Sequence, residues 1–301
     1  LQVLFLTGER GIGKSSLAAY VRAIAERDHA ALGLHTFLGG VDSLEEAVRR
    51  VFDRLLKESF GSSWYEKIKE FFGNHIRQVG LFGVTVEFGP SEKDLRQIVH
   101  GFAPALANLM ERLREEKRVI FLVLDDINGL ASSPTFANWL KSLVDEIATS
   151  VRPLPLCLVA VGLEERRQSL VSLQPSLSRV FDIIDVRVWS EEETREFFRH
   201  AFSRVNIRVE EKALCFLCRF AGGLPMMAHE IGDATFNANT DDCIDERDAL
   251  RGVLSAADIV GRKHLEPQVF HAIRSARYRA ILRKIAKKPF EVAFTSRELQ
   301  P

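Results

Sequence analysis

A glycine-rich segment near the start of the chain constrains the fold more than any other feature. Residues 8–15 read Gly-Glu-Arg-Gly-Ile-Gly-Lys-Ser and match the pattern G-x-x-x-x-G-K-[ST]. An apolar run at Val3–Leu6 precedes the segment, and a helix-like run at Ser16–Arg22 follows it. This order predicts a strand, a phosphate-binding loop and a helix, because the backbone N–H groups of such a loop and the positive helix N-terminus both attract anions. A plain glycine-rich turn before a helix is the alternative.

Every residue of this loop is a candidate for nucleotide contact. In the motif the lysine, Lys14, reaches the β- and γ-phosphates, and the hydroxyl of Ser15 binds Mg²⁺. The predicted nucleotide-binding residues of the loop are Gly8, Glu9, Arg10, Gly11, Ile12, Gly13, Lys14, Ser15 and Ser16. The sequence therefore predicts that the chain binds a nucleoside triphosphate, or descends from a protein that did.

Strand-like and helix-like segments alternate over residues 1–188, which is typical of a parallel sheet covered by helices on both faces. Apolar runs predict five strands, at Gln2–Thr7, Gly33–Phe37, Val119–Leu124, Leu156–Val161 and Phe181–Val188. Amphipathic runs predict helices at about Lys14–Arg27, Leu44–Lys57, Asp94–Glu115 and Thr135–Thr149. A helical pattern at Ser62–Phe72 and an alternating pattern at Val79–Phe88 predict a helix and a hairpin inserted at about 61–90. The hairpin could contact a partner or simply pack on the flanking helices.

After Trp189 the pattern is helical, and we expect residues 189–260 to form a small all-helical lid domain without strands. Helices are expected at Glu191–Val205, Glu210–Ala221, Pro225–Asn237 and Glu246–Ile259, with a capping box of Ser190 and Glu193 before the first. Gly222 and Gly223 should end one helix, and Pro225 should start the next. Residues 261–301 resemble the opening of a winged helix, with helices at Pro267–Ser275, Tyr278–Ala286 and Ser296–Leu299, and we expect the chain to be a fragment of a longer protein.

Composition favours a globular protein without a membrane partner. Basic and acidic residues number 41 each, so the overall charge favours neither nucleic acid nor a membrane surface. No apolar stretch reaches the roughly 18 residues of a membrane-spanning helix. The four cysteines are too few for a disulfide framework and favour a reducing, cytoplasmic setting. Cys215 and Cys218 stand in an apolar helical pattern and are expected to be buried thiols, with zinc or redox chemistry as the alternative.

A second motif follows the loop by about 110 residues. The apolar strand Val119–Leu124 ends in two carboxylates, Asp125 and Asp126, which is the Walker B pattern. Because ligands bind outside the carboxyl ends of parallel strands, we expect Asp125 beside Ser15, where both would hold Mg²⁺. Asp126 is then the candidate catalytic residue that orients or deprotonates an attacking water.

This order of motifs resembles the AAA+ and STAND branch of P-loop NTPases, with an ORC-like core and a helical lid. The resemblance covers about residues 1–260 and rests on Gly8–Ser15, Leu124–Asp126 and Ala221–Pro225, the last being similar to the G-x-P element of the lid. It implies that ATP or ADP is bound with Mg²⁺ and that Pro225 lies near the adenine. It also implies that Arg179, just before the fifth strand, is a sensing or trans-acting arginine, which makes it a candidate catalytic residue together with Lys14 and Asp126. The planar guanidinium suits that role because it stays charged. Arg166 and Arg167, after the fourth strand, are weaker choices.

Two departures from that family pattern bear on turnover. AAA+ proteins usually carry a polar sensor residue at the end of the fourth strand, where this chain has Val159-Ala160-Val161-Gly162. No sensor arginine is evident in the segment that follows Pro225. Both gaps favour slow hydrolysis. His35 and His229 are interpreted as ordinary packing or surface residues.

Two functions fit these patterns. The first is an ATP-binding, slowly hydrolysing molecular switch of STAND or AAA+ type, acting through self-association or through effector domains elsewhere in its protein. The second is a DNA-associated loader or initiator, in which the basic segment Arg274–Lys288 contacts DNA. A small-molecule P-loop kinase fits less well, because the helical segment after Trp189 is too large for a short phosphate lid.

Overall fold

The computed structural model describes residues 1–79, 85–151, 154–263, 273 and 275–287. The chain divides into two compact units, Leu1–Arg187 and Val188–Pro301. None of the helices in the described ranges is both long enough and apolar enough to cross a lipid bilayer.

The first unit is an α/β domain. Its described strands are β1 (Gln2–Thr7), β2 (Ala31–Phe37), β3 (Ile76–Val79), β4 (Thr85–Phe88), β5 (Val119–Asp125), β6 (Leu156–Val161) and β7 (Asp182–Asp185). Its described α-helices are α1 (Lys14–His29), α2 (Leu44–Ser59), α3 (Tyr65–Phe72), α4 (Glu92–His100), α5 (Phe102–Arg112), α6 (Pro134–Thr149) and α7 (Glu164–Leu173). Short 3₁₀ helices lie at Gly73–His75, Leu130–Ser132 and Pro175–Arg179.

Five of these strands form one parallel sheet in the order β2-β5-β6-β1-β7, which confirms the predicted fold class. β5 and β6 lie in the interior of the sheet and are buried along nearly their whole length, so their sequences are almost continuously apolar. The register pairs Val161 with both Leu6 and Asp125. The carboxyl ends of β1, β5 and β6 are therefore level, and the segments that follow them meet at one edge of the sheet.

The inserted helix and hairpin pack onto the main core. Phe52 of α2 is fully buried, and the rings of Phe72, Phe88 and Phe102 lie 5.9, 5.5 and 5.6 Å from it. β3 and β4 pair in antiparallel fashion, as predicted, with residues 80–84 outside the described part. Phe88 at the end of β4 is 2% exposed, so packing on the flanking helices accounts for this end of the hairpin.

Three elements of this unit differ from the prediction. The helix expected at Asp94–Glu115 is two helices, with α4 ending at Gly101 and α5 beginning at the next residue. Pro104, in the first turn of α5, has no N–H to donate to the His100 carbonyl, so the two cannot form one regular helix. Helix α7 was not predicted, since Leu170 is its one buried side chain and no apolar period marks it. Strand β7 is four residues long rather than eight, and all four side chains are exposed.

The second unit is mainly helical. Its described elements are α8 (Glu191–Ser203), β8 (Arg208–Val209), α9 (Glu211–Ala221), α10 (Pro225–Ala238), β9 (Cys243–Ile244), α11 (Glu246–Val260) and α12 (Ala276–Ala286). The predicted capping box of Ser190 and Glu193 opens α8. Gly222 ends α9 in the left-handed conformation, and Pro225 is the first residue of α10, as predicted. The expectation that strands stop at Trp189 is wrong, because β8 and β9 form a short parallel pair that buries Ile244.

The cysteines of α9 and the last described segment differ in how far they match the prediction. Cys218 is buried as expected, but Cys215 is exposed, with its Sγ 2.9 Å from Nη2 of Arg195 on α8. In the segment expected to open a winged helix, α12 is present and is capped by the Ser275 hydroxyl. The other two helices of that segment, at 267–275 and 296–299, lie outside the described residues except for Ile273 and Ser275.

Candidate nucleotide-binding site

The loop after β1 turns sharply into α1, and glycines make the turn possible. Gly8 has φ +142°, and a Cβ there would lie 2.6 Å from the backbone oxygen of Val186. Gly13, with φ +94°, is the N-cap of α1, and its carbonyl accepts the Leu17 N–H at 2.9 Å. Ile12 is 3% exposed and anchors the loop in the domain. The outward-facing members of the predicted set are Glu9, Arg10, Gly11, Ser15 and Ser16.

Lys14 folds back over this loop. Its Nζ donates to the backbone oxygens of Gly8 at 2.8 Å and Glu9 at 2.7 Å. Burial lowers the pKa of Lys14 below the usual 10.5, although the carboxylates of Asp125 and Asp126 act in the opposite direction. The ammonium group is therefore held beside the glycine-rich turn, where anionic oxygens could replace its carbonyl partners.

Ser15 and Asp125 lie together, as the two motifs predicted. The Ser15 hydroxyl donates to Oδ1 of Asp125 at 3.1 Å across 110 residues of sequence. Asp125 is 2% exposed, and its Oδ2 lies 2.7 Å from Nε2 of His35 on β2. Both carboxylate oxygens have hydrogen-bond partners, which is what allows this side chain to be buried.

The interpretation of His35 as an ordinary packing or surface residue is therefore wrong. Its side chain is 4% exposed and contacts the Walker B carboxylate directly. The available signal was a titratable residue inside a strand that is otherwise buried and largely apolar. His229, by contrast, packs edge-on against Phe197, with ring centroids 4.8 Å apart.

The donors at this edge of the sheet fit a magnesium ion. Serine hydroxyl and carboxylate oxygens are the hard ligands that Mg²⁺ prefers, usually beside substrate phosphates and retained waters. Ser15 and Asp125 supply one of each, and they are already hydrogen-bonded to each other. These two residues could hold the ion next to Lys14.

Asp126 leaves the line of β5 and is exposed. Its φ of +57° is in the left-handed region, which Asp and Asn adopt more readily than other non-glycine residues. Its Oδ2 lies 2.8 Å from the position that a Cβ at Gly39 would take, so the missing side chain at Gly39 makes room for it. Its Oδ1 accepts a hydrogen bond from Nδ2 of Asn128.

Asn128 is a residue that sequence reasoning missed. Its Oδ1 accepts the backbone N–H of Leu163 at 3.2 Å, just beyond the end of β6. The polar side chain beside the carboxyl end of β6 therefore comes from the segment after β5, because β6 itself ends in apolar residues. Sequence alone could not have located it, because the contact depends on which strands are neighbours.

Arg179 and Pro225 are not brought to the P-loop within the first unit. Arg179 is exposed and stands six residues before Asp185, which pairs with Thr7. Because β7 runs parallel to β1, Arg179 lies at its amino end, and the four residues Asp182–Asp185 alone span about 10 Å. Pro225 belongs to the second unit, where it is buried. Contacts of Arg179 and Pro225 with nucleotide stay predictions.

No model of a known protein family matches the chain, and no curated protein sequence is significantly similar to it. Solved structures do resemble it. A Walker-type ATPase of Pyrococcus abyssi has a TM-score of 0.61 at 20% identity over 94% of this chain and 74% of that chain. The ORC2 protein of Aeropyrum pernix, in ADPNP–ADP complexes, has a TM-score of 0.62 at 12% identity over 94% of this chain and 67% of that chain. The RuvB Holliday junction branch migration motor of Thermotoga maritima has a TM-score of 0.51 at 16% identity over 95% and 69%. At these identities the likeness is one of fold.

Proposed function

We propose that this chain, which has the P-loop ATPase fold of the AAA+ type found in these three structures, binds ATP with Mg²⁺ and hydrolyses it slowly as a molecular switch. The observation that carries the proposal is the cluster of Lys14, Ser15 and Asp125. An ammonium, a hydroxyl and a buried carboxylate from two motifs lie at one edge of the sheet. A plain glycine-rich turn would not need a buried carboxylate held by both a serine and His35.

Each residue of the cluster has a distinct task in this proposal. Lys14 pairs with the β- and γ-phosphates, as the lysine of this motif does. Ser15 and Asp125 hold Mg²⁺, which would neutralise phosphate charge when bound. Asp126, exposed beside them, orients the attacking water and accepts its proton.

Two features support slow turnover and a switching role. β6 ends in Val159-Ala160-Val161-Gly162, which carries no polar side chain. Arg179 lies at the amino end of β7, away from the carboxyl ends of the strands where the P-loop begins. We propose that Arg179 acts in trans, that the helix started by Pro225 responds to the nucleotide, and that the output is self-association or an effector domain.

Calorimetric titration with MgATP tests the nucleotide site. K14A should weaken ATP binding more than about tenfold, since a charge-assisted hydrogen bond contributes about 1.5–3 kcal/mol. K93A, which removes an exposed lysine on α4, is the matched control and should bind like wild type. Equal affinity in wild type and K14A would sink the proposal.

Single-turnover hydrolysis with excess protein tests the catalytic role of Asp126. D126N should still bind MgATP but should lose most of its hydrolysis, because the amide cannot accept the proton. Hydrolysis by D126N at the wild-type rate would remove Asp126 from the mechanism while leaving the binding site in place.

DNA association is a second candidate function, favoured by the composition of α12. The stretch 276–287 contains no acidic residue and five basic ones, which are Arg277, Arg279, Arg283, Lys284 and Lys287. If all five contacted phosphates, the affinity for duplex DNA would fall with salt at a log–log slope of roughly −4 to −5. Titrations between 50 and 200 mM salt would measure it. Absent or salt-independent binding would exclude this function.

A further inference from the structure

We infer that Asn128 is a positioning residue for ATP hydrolysis, which holds the Asp126 carboxylate so that one of its oxygens faces the reacting water. The inference rests on the proposed function, because it assigns Asp126 as the acceptor of the water proton. Its basis is the chain of contacts from the Leu163 N–H through the Asn128 amide to Asp126.

The orientation of the Asn128 amide follows from its partners. The Leu163 N–H is a donor, so the amide atom that faces it must be the oxygen. The Nδ2 group is then directed to Oδ1 of Asp126, which can only accept. The amide cannot be rotated by half a turn without placing a donor against a donor.

Asn128 itself is held rigidly by its neighbours. The fully buried Ile127 donates its N–H to the Val161 oxygen at 3.1 Å. A Cβ added at Gly162 would be in van der Waals contact with Ile127 at 3.4 Å and with Oδ1 of Asn128 at 3.5 Å, so both residues pack beside the turn that follows β6. On the other side, a Cβ at Gly129 would lie 2.3 Å from the Val41 oxygen. Segment 127–129 is therefore fixed between the turn after β2 and the end of β6.

This arrangement separates the two oxygens of Asp126. Oδ1 accepts from Asn128, whereas Oδ2 lies against Gly39, in the space that a side chain there would fill. Asp126 is exposed, so water can reach this carboxylate. During ATP hydrolysis, the water oxygen bonds to the γ-phosphorus, and the bond from that phosphorus to the β,γ-bridging oxygen breaks. The electron pair of the broken bond leaves with ADP, and the water proton passes to Oδ2. With Oδ1 engaged by Asn128, Oδ2 is the oxygen assigned to take the proton.

Two variants separate positioning from support of the fold. N128A removes both hydrogen bonds. N128D keeps an oxygen for the Leu163 N–H but loses the donor to Asp126. We expect N128D, like N128A, to bind MgATP within about twofold of wild type and to hydrolyse it at least about tenfold more slowly in single turnover. N108A, an exposed asparagine on α5, is the control and should match wild type in both measurements.

A double-mutant cycle with D126N distinguishes a role in hydrolysis from a purely structural role, because it compares hydrolysis rates with and without the Asp126 carboxylate. If Asn128 acts through Asp126, the D126N/N128D protein should hydrolyse ATP no more slowly than D126N alone. Wild-type hydrolysis by N128D, or loss of ATP affinity in step with the rate, would overturn the inference. If N128A does not fold, the hydrolysis rate of N128D alone tests the inference. If the wild-type protein binds MgATP but does not hydrolyse it, the role of Asn128 is wrong while the nucleotide site remains supported. If K14A and wild type bind ATP equally well, the proposed function itself is wrong.

Discussion

The Nε2 atom of His35 lies 2.7 Å from Oδ2 of Asp125, and the two side chains are only 4% and 3% exposed. The residues are 90 positions apart and stand on the neighbouring strands β2 and β5. Because the other oxygen of Asp125 accepts from Ser15, the carboxylate is held between β2 and α1. The ring of His35 also stacks on Phe37, with centroids 4.5 Å apart, which limits its rotation.

Replacing His35 by alanine should destabilise the first unit. H35A leaves one oxygen of a buried carboxylate without its partner, and we expect the free energy of unfolding to fall by about 1–3 kcal/mol. Denaturant unfolding measures this loss. H29A removes an exposed histidine at the end of α1 and should stay within about 0.5 kcal/mol of wild type. If the two variants are equally stable, the His35–Asp125 contact contributes nothing measurable.

The lowered pKa of Lys14 should be visible in a titration of the lysine side chains. After ¹³C-methylation, the resonance that disappears in K14A should titrate below the usual 10.5. The buried charge of Lys14 costs stability below its folded pKa, and that cost is relieved as the pH rises toward 10.5. A Lys14 resonance that titrates at 10.5 or above would contradict burial of the amine.

The same shift predicts how nucleotide affinity depends on pH. A bound phosphate stabilises the charged form of Lys14, so the complex holds a proton that the free protein has begun to lose. ATP affinity should be flat with respect to this group below the lowered pKa and should fall, by at most about tenfold per pH unit, above it. Calorimetry in two buffers of different ionisation enthalpy should show proton uptake in that alkaline range. Proton release there would contradict the assignment.

Two glycines in helices of the second unit should respond oppositely to alanine. At Gly252 in α11, a Cβ would lie 2.0 Å from Oγ1 and 2.6 Å from Cα of the fully buried Thr235, so G252A must push α11 away from α10. We expect a loss of about 1–3 kcal/mol. At Gly232 the nearest atom is 3.5 Å away on Phe198, and G232A should gain up to about 1 kcal/mol from helix propensity. Scanning calorimetry compares the unfolding temperatures of G252A and G232A. Similar temperatures would contradict the difference in packing at the two glycines.

The two cysteines of α9 should differ sharply in reactivity. Cys215 is exposed, whereas burial raises the pKa of Cys218 to about 11. At pH 8 only about one Cys218 thiol in a thousand would be ionised, and the thiolate is the reactive form. Iodoacetamide should therefore modify Cys215 first in the folded protein, as peptide mass spectrometry would show. The C215S variant is the control, and equally fast labelling of Cys218 would contradict its burial.

Local patterns predicted the elements of the sheet well. β1 and β6 have the predicted bounds, because a short apolar run between turn signals is both the cause and the mark of a buried strand. The patterns failed where a helix buries little surface or where glycine and proline interrupt an amphipathic run. Helix α7 buries little apolar surface, and Gly101 and Pro104 separate α4 from α5 within one amphipathic run. The pair of β8 and β9 joins segments that are too short to have a period.

The sequence by itself determined the glycine-rich turn, the lysine and serine at its end, and the two carboxylates that close β5. These features depend on residues close together in the chain, whose backbone needs are read directly from glycine positions and apolar runs. Only the tertiary structure decided which side chains surround the carboxylates. The strand order places β2 and β6 on either side of β5, and this brings His35 to Asp125 and the end of β6 to Asn128. Those contacts join distant segments, so their chemistry follows from the pairing of strands and not from any local pattern.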